Sequence, residues 1–411
     1  MAITGMGAVT PLGPADEAWK ALLAGESGLQ RAPERLRAAG CQVAGPAEAF
    51  DPGDFLDRYT ARHMGRFSQM AVAACRMAVT DAGIDLGDGE HVGLVVHTGA
   101  GGLIEAEAAA SAADARPRRV SPYFTPTYGP NMAACQPSLE LGIRGPVLGG
   151  VGACAAGVQA LIDGLRLVQR GDAEVVLAGA TDAALSPLLL GSLANAGALA
   201  VAGGDPASAC RPFDRSRTGM VASEGAAMFV LEPLDQARAR GAEVIAVVAG
   251  GGRSADAHHL TTPHPQGRGT ASALTRALAD AGLSPEDIDV LVAHATATAL
   301  GDEAEGHGLR TVFGSRPGFA VTAPKGALGH GLGAAGAFGV LVAASCLRDQ
   351  LVPPTRNLAD PDPACGPLDH VRDEARARRL THALVNAAGF GGQNAAVVLS
   401  RAGASSREPG A

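Results

Sequence analysis

Apolar residues along this chain come in short runs rather than in long amphipathic stripes. Met1–Ile3, Val92–Val96, Glu174–Leu177, Met228–Leu231, Val244–Val248, Val290–Val292, Leu384–Val385 and Ala395–Leu399 each read as a strand with little exposed face. Between them lie Ala-rich segments with helical spacing, of which Ser68–Ala82 and Val158–Arg170 are the clearest. Strands alternating with helices predict an α/β fold on largely buried sheets. No Ser/Pro linker divides the chain; the Pro-rich pieces are Pro353–Pro363 and the tail after Leu399. Two uncharged runs, Ala183–Gly204 and Gly326–Leu347, approach the length of a membrane span. Pro, Asn, Ser, His or repeated Gly interrupts both, so buried Ala/Gly-rich elements are expected and membrane insertion is not.

Composition narrows the class. With 411 residues, 47% of them hydrophobic and 18% charged, the chain has material for a large core and is neither disordered nor a coiled coil. The net charge of −8, the lack of a basic stretch and an aromatic content of 3% argue against nucleic acid as a partner. Seven cysteines without a C-x-x-C pair fit neither a disulfide framework nor a zinc ribbon, and point to a reducing, cytoplasmic setting. No secretory leader is readable in the opening MAITGMGAVT. Its AITGMG stretch fails as a dinucleotide fingerprint, because Thr10 stands where the third glycine belongs.

The sharpest local signal is Gly149-Gly-Val-Gly-Ala-Cys154-Ala-Ala-Gly157, a glycine-rich approach to one cysteine with a helical pattern starting just behind it. A helix N-terminus there favours thiolate and makes Cys154 a candidate nucleophile. The competing reading is a small buried cysteine, as Cys75 and Cys346 are expected to be. Three further segments bear on the choice: His294-Ala-Thr296-Ala-Thr298 with Asp302 and Glu305 downstream, Lys325-Gly-Ala-Leu-Gly-His330, and the turn Gly389-Phe390-Gly391-Gly392. Lys325 stands out because Lys20 is the only other lysine among 33 basic residues. His258, His259 and His264 have no convincing metal-ligand spacing, and no metal site is expected.

Cys154, His294, Lys325 and His330, in this order, resemble the β-ketoacyl-acyl carrier protein synthases of the thiolase superfamily. The resemblance runs from ITGMGAVTPLG through RFSQMAVAACRMAVTDAG, PNMAACQPSLELGIRGP, RPFDRSRTGMVASEGAAMFVLE, DAHHLTTPHP, HATATALGDEAE and PKGALGHGLGAAG to NAAGFGGQNAAVVL, nearly the whole chain. It implies a five-layer α-β-α-β-α sandwich of two pseudo-repeated halves, here 1–240 with Cys154 and 241–400 with both histidines, followed by a flexible tail over 401–411. It also implies a decarboxylating condensing enzyme of fatty-acid or type II polyketide synthesis, with no bound catalytic cofactor. Substrates would ride on the phosphopantetheine of an acyl carrier protein. Cys154 would take the acyl group, and the N–H groups of Cys154 and Phe390 would meet its oxyanion. His294 and His330 would support decarboxylation of a malonyl thioester, while Thr296 and Thr298 hold the pantetheine arm. Lys325 would pair with Glu305, Asp302 and Glu305 would orient the histidines, and Phe390 would gate the acyl pocket.

Four positions depart from the family pattern: Gly152, Ser223, Gly326 and Ala388 stand where threonine, glycine, serine and phenylalanine are common. Small residues at 152, 326 and 388 predict a looser acyl pocket suited to a bulky, polyene or polyketide chain. Carrier docking on an acidic chain requires a local basic patch, with Arg58, Arg62 and Arg66 beside Arg116, Arg118 and Arg119 as candidates. A homodimer is expected, or a ketosynthase/chain-length-factor heterodimer. The rival functions are a chain-length-shaping subunit of such a heterodimer, which typically lacks the cysteine, and acyl transfer on Cys154 without condensation. A non-decarboxylating thiolase fits poorly, since Cys365 is the only available second cysteine and no glycine-rich turn surrounds it.

Overall fold

A computed structural model describes residues 1–115, 120–201, 203–315 and 318–403. Arg116, Arg118 and Arg119 and most of the expected tail lie outside the described residues. Eleven strands run in the order Asp369–His370, Ala320–Thr322, Val290–Val292, His382–Gly389, Gln393–Ser400, Ala246–Ala255, Ala2–Val9, Gly225–Glu232, Val175–Asp182, Val92–His97, Val147–Leu148. Counted along the chain within each half, and setting aside the edge strand Asp369–His370, both halves follow the order 3-2-4-5-1. In each half the fifth strand runs antiparallel to both neighbours, and the others pair in parallel. Within the sheet the halves join at Ala2 with Val247 and Ile3 with Ala246.

Helices complete five layers. Arg66–Ala82 and Met132–Leu141 cover one outer face, Arg268–Ala281 and Ala299–Phe313 the other, and Ala156–Gln169 with Ala335–Asp349 form the middle layer touching strands of both halves. Glycines set the spacing. A Cβ on Gly7 would lie 2.1 Å from the Ala74 carbonyl oxygen, and one on Gly252 would lie 2.2 Å from that of Ala273. The AITGMG glycines therefore let a helix lie directly on the strand, and the strand Ala246–Ala255 repeats the device. The central helices meet in the same way, since a Cβ on Gly157 would stand 2.1 Å from the Ala337 nitrogen.

These glycines explain why the apolar runs understate the strands. Met1–Ile3 is the visible part of Ala2–Val9, and Val244–Val248 overlaps only the first part of Ala246–Ala255. Gly326–Leu347 is buried throughout. Its helix, extended to Leu332–Asp349, is the one described helix long and apolar enough to span a membrane, yet 89% of it lies inside the protein. Ala183–Gly204 differs from expectation. Its helix Pro187–Asn195 buries Leu190 and Leu193 but leaves Leu188 exposed, because it lies near the surface beside the cavity described next.

Candidate active site

Cys154 sits in a 3-10 turn, Ala153–Ala155, that feeds the central helix Ala156–Gln169. Ala153 takes a left-handed φ of 46°, a strained conformation for alanine that turns the chain sharply before the helix. Gly389 fits closely beside it, since a Cβ there would come within 3.1 Å of the Cys154 nitrogen. The strand His382–Gly389 thus delivers Phe390 to the nucleophile, and the Phe390 N–H bears on the Cys154 sulfur. Burial pushes the Cys154 thiol up to about 11, against the lowering effect of Lys325 and the two backbone N–H groups. The thiolate expected from a helix N-terminus is therefore not the resting form. Cys75 and Cys346 are fully buried, as the competing reading assigned to them.

His294 and His330 face one another edge-on with ring centroids 5.6 Å apart. The Leu332 N–H donates to Nδ1 of His330 at 3.1 Å, which places the His330 proton on Nε2. Burial, then the Lys325 cation, hold both imidazoles well below their ordinary pKa, and His330 depresses His294 further. Both rings are neutral at physiological pH and act as hydrogen-bonding groups.

The acidic residues hold backbone. Glu305 accepts from the N–H groups of His294 and Ala295, each at 2.7 Å, and Asp302 from that of Ala297 at 3.0 Å. Ala295 and Ala297 have φ of 29° and 62°, so these carboxylates pin a strained 294–298 segment. Burial raises the pKa of both acids, that of Asp302 to about 7. Lys325 is buried behind the cavity and donates to the carbonyl oxygen of His294. The expected ion pair with Glu305 does not form within 4.0 Å, although their charges interact: the ammonium donates to that carbonyl, while two backbone N–H groups and Asn386 donate to the carboxylate.

Cys154, His294, Thr296, Thr298, Glu305, His330 and Phe390 line one cavity of about 480 Å³, while Lys325 and Asp302 lie outside its lining. Thr296 and Thr298 bond each other through their hydroxyls at 2.8 Å. Phe390 is 42% exposed. Gly391 and Gly392 in its turn bond the backbone of Leu260 and Asp256, clipping the turn to the 256–264 loop. Two of the small-residue positions do not enlarge the cavity: a Cβ at Gly152 would meet Gln159 at 2.2 Å, and one at Gly326 would meet the Arg356 carbonyl at 2.7 Å. Only Ala388 lines it. Ser223 is fully buried and its backbone bonds the His330 carbonyl. Arg66 also differs from expectation: its guanidinium forks onto Glu224 at 2.8 and 3.0 Å and is not free for a partner. Asp256 and Asp182 escaped the sequence reading, and Asn386, which opens the segment running to Asn394, was given no role there. A carboxylate closing the apolar run VVLAGATD was the available sign for Asp182.

Comparison with known proteins agrees with this geometry. Residues 1–237 match the model of the β-ketoacyl synthase N-terminal domain and residues 245–359 that of its C-terminal domain. The chain belongs to the β-ketoacyl synthase family and is an acyl-transferring condensing enzyme of thiolase fold. It is 38% identical over 405 residues to the 3-oxoacyl-[acyl-carrier-protein] synthase 2 of Staphylococcus aureus, covering 97% of both chains. The ishigamide ketosynthase/chain length factor superposes with a TM-score of 0.91 at 32% identity, covering 98% of this chain and 99% of that one. A type II polyketide ketosynthase, bound to the hexaketide and in complex with its acyl-carrier protein, superposes with a TM-score of 0.89 at 26% identity, covering 97% and 98%.

Proposed function

We propose that this chain condenses an acyl group carried on Cys154 with a malonyl group on an acyl carrier protein, through the residues lining the cavity that holds Cys154. The observation that carries the assignment is the nucleophile sharing that cavity with two neutral imidazoles, one of which has its proton fixed on Nε2. Cys154 sulfur attacks the acyl thioester, the carrier thiol leaves with the cysteine proton, and the N–H groups of Cys154 and Phe390 stabilise the oxyanion. The malonyl thioester then enters along Thr296 and Thr298. Its C–carboxylate bond breaks, CO2 departs, and the electron pair moves onto the thioester oxygen, where His294 and His330 donate hydrogen bonds. The enolate carbon attacks the acyl-cysteine, Cys154 leaves as the thiolate and takes a proton from solvent, and β-ketoacyl-carrier protein is released. Lys325, Glu305 and Asp302 are positioning residues here: they hold the backbone and tune the charge around the groups that react. We assign 1–240 and 241–400 as the two halves that meet at this cavity, with the phosphopantetheine arm as the only prosthetic element and that of the carrier.

Carrier docking falls to Arg58 and Arg62, both exposed beside Tyr59, which is 66% exposed. Assembly with a second copy, or with a chain-length-factor-like subunit, falls to the edge strand Val147–Leu148, where Leu139, Leu148 and Val151 are exposed. A cytoplasmic setting suits seven free thiols. The test incubates the purified chain with acyl-carrier and malonyl-carrier proteins and follows the carrier by mass. A β-ketoacyl carrier that vanishes in Cys154→Ala is the expected result. Stable acylation of Cys154 with no condensation, even when a subunit is added, would instead assign acyl transfer.

A further inference from the structure

The duplicated fold contains a second copy of the nucleophile's setting. Leu332–Ala334 is a 3-10 turn feeding the central helix Ala335–Asp349, as Ala153–Ala155 feeds Ala156–Gln169. Leu332 carries a left-handed φ of 50°, as Ala153 does at 46°. Gly333 thus occupies in the second half the place that Cys154 holds in the first. Facing Cys154 is the end of strand His382–Gly389; facing Gly333 is the end of the corresponding strand Val175–Asp182. In place of a substrate, this second setting receives the carboxylate of Asp182.

Asp182 is fully buried and its two oxygens take four donors: the Gly333 N–H at 2.8 Å, Gly99 N–H at 3.0 Å, Ala100 N–H at 3.3 Å and the Thr98 hydroxyl at 3.3 Å. The loops it ties are in close contact, since a Cβ on Gly333 would lie 2.3 Å from the Gly99 nitrogen. Gly99 and Ala100 line the catalytic cavity. Gly333 follows Leu332, whose N–H fixes the His330 tautomer. Burial pushes Asp182 up to about 6, so it is mainly ionised at neutral pH and purely an acceptor.

We propose that Asp182 is a positioning residue for decarboxylation: by clamping 331–333 against 98–100 it holds the Leu332 N–H on His330 Nδ1, which keeps the His330 proton on the nitrogen left to the cavity. The inference rests on the condensing function proposed above. Asp182 touches no substrate, and its negative charge acts on Cys154 in the opposite sense, raising the thiol pKa. Its loss therefore affects the two half-reactions differently, which a general loss of structure would not do. An Asn side chain at 182 turns an amide N–H toward the N–H donors and breaks the clamp without changing volume.

The experiment measures two rates for wild type and variants: acylation of Cys154 by an acyl-carrier protein, and CO2 release from malonyl-carrier protein. In Asp182→Asn, CO2 release is expected to fall on the order of 10-fold or more, while acylation is unchanged or faster. Thr98→Val, which removes one donor, should show a smaller loss in the same half-reaction, and Thr98→Ser should restore it. Equal loss of both rates in Asp182→Asn and Thr98→Val, or no loss of CO2 release, overturns the proposal. A wild-type chain that acylates but releases no CO2 overturns the condensing function itself, so the two failures are distinguishable.

Discussion

Cys154 lies between opposing influences: burial favours the thiol, while Lys325 and two backbone N–H groups favour the thiolate. With the thiol pushed up to about 11, iodoacetamide alkylation should rise about 10-fold per pH unit from pH 7 to 10. A plateau below pH 9 would contradict that. Lys325→Met removes a cation that lowers the pKa of Cys154, His294 and His330 alike. All three should therefore rise: alkylation at pH 8 slows, and the acid limb of CO2 release moves to higher pH. Rate profiles of both reactions check the sign. That Cys154, His294 and His330 belong together was legible from short motifs in order, and the three line one cavity. Their partners were not: Lys325 bonds a carbonyl 31 residues away and Gln159 fills the space at Gly152, contacts that no local pattern encodes.

At the scale of elements, strand and helix runs were readable where both faces are aliphatic and unreadable where glycine replaces side chains for close approach. That is why Ala2–Val9 looked three residues long and why Gly5 and Gly7 invited a nucleotide reading. The repeated strand order gives a direct prediction. Gly7→Ala and Gly252→Ala, at corresponding places in the two halves, should each cost on the order of 2–3 kcal/mol by forcing backbone apart. Gly203→Ala, where nothing lies within 4 Å, should leave the melting temperature unchanged. Thermal unfolding of the three variants decides it; an unaffected Gly7→Ala would mean that the helix can move off the strand.

For the whole molecule, the sequence motifs implied two halves, and the strand order repeats once along the chain. The first half presents Cys154, the second presents the histidines and Phe390, and the middle helices cross at Gly157 where side chains would not fit. Surface chemistry was less legible, because exposure and pairing depend on the fold. Arg62 and Arg66 look alike in sequence, yet one is exposed and the other is held by the buried Glu224. Arg62→Glu should raise KM for the carrier several-fold with an unchanged melting temperature. Arg66→Glu should lower the melting temperature instead, since it sets like charges together around Glu224. Matching KM effects with no loss of stability in either variant would show that Arg66 is free to dock.

The division of labour within the cavity is the central claim, and single-turnover mass spectrometry with simultaneous CO2 detection addresses it most directly. Wild type, Cys154→Ala, His294→Ala and His330→Ala are mixed with acyl-carrier and malonyl-carrier proteins. Cys154→Ala is expected to carry no acyl group, and both histidine variants to become acylated yet release little CO2 and form no β-ketoacyl product. Histidine variants that release CO2 at the wild-type rate, or that fail to acylate Cys154, would contradict it.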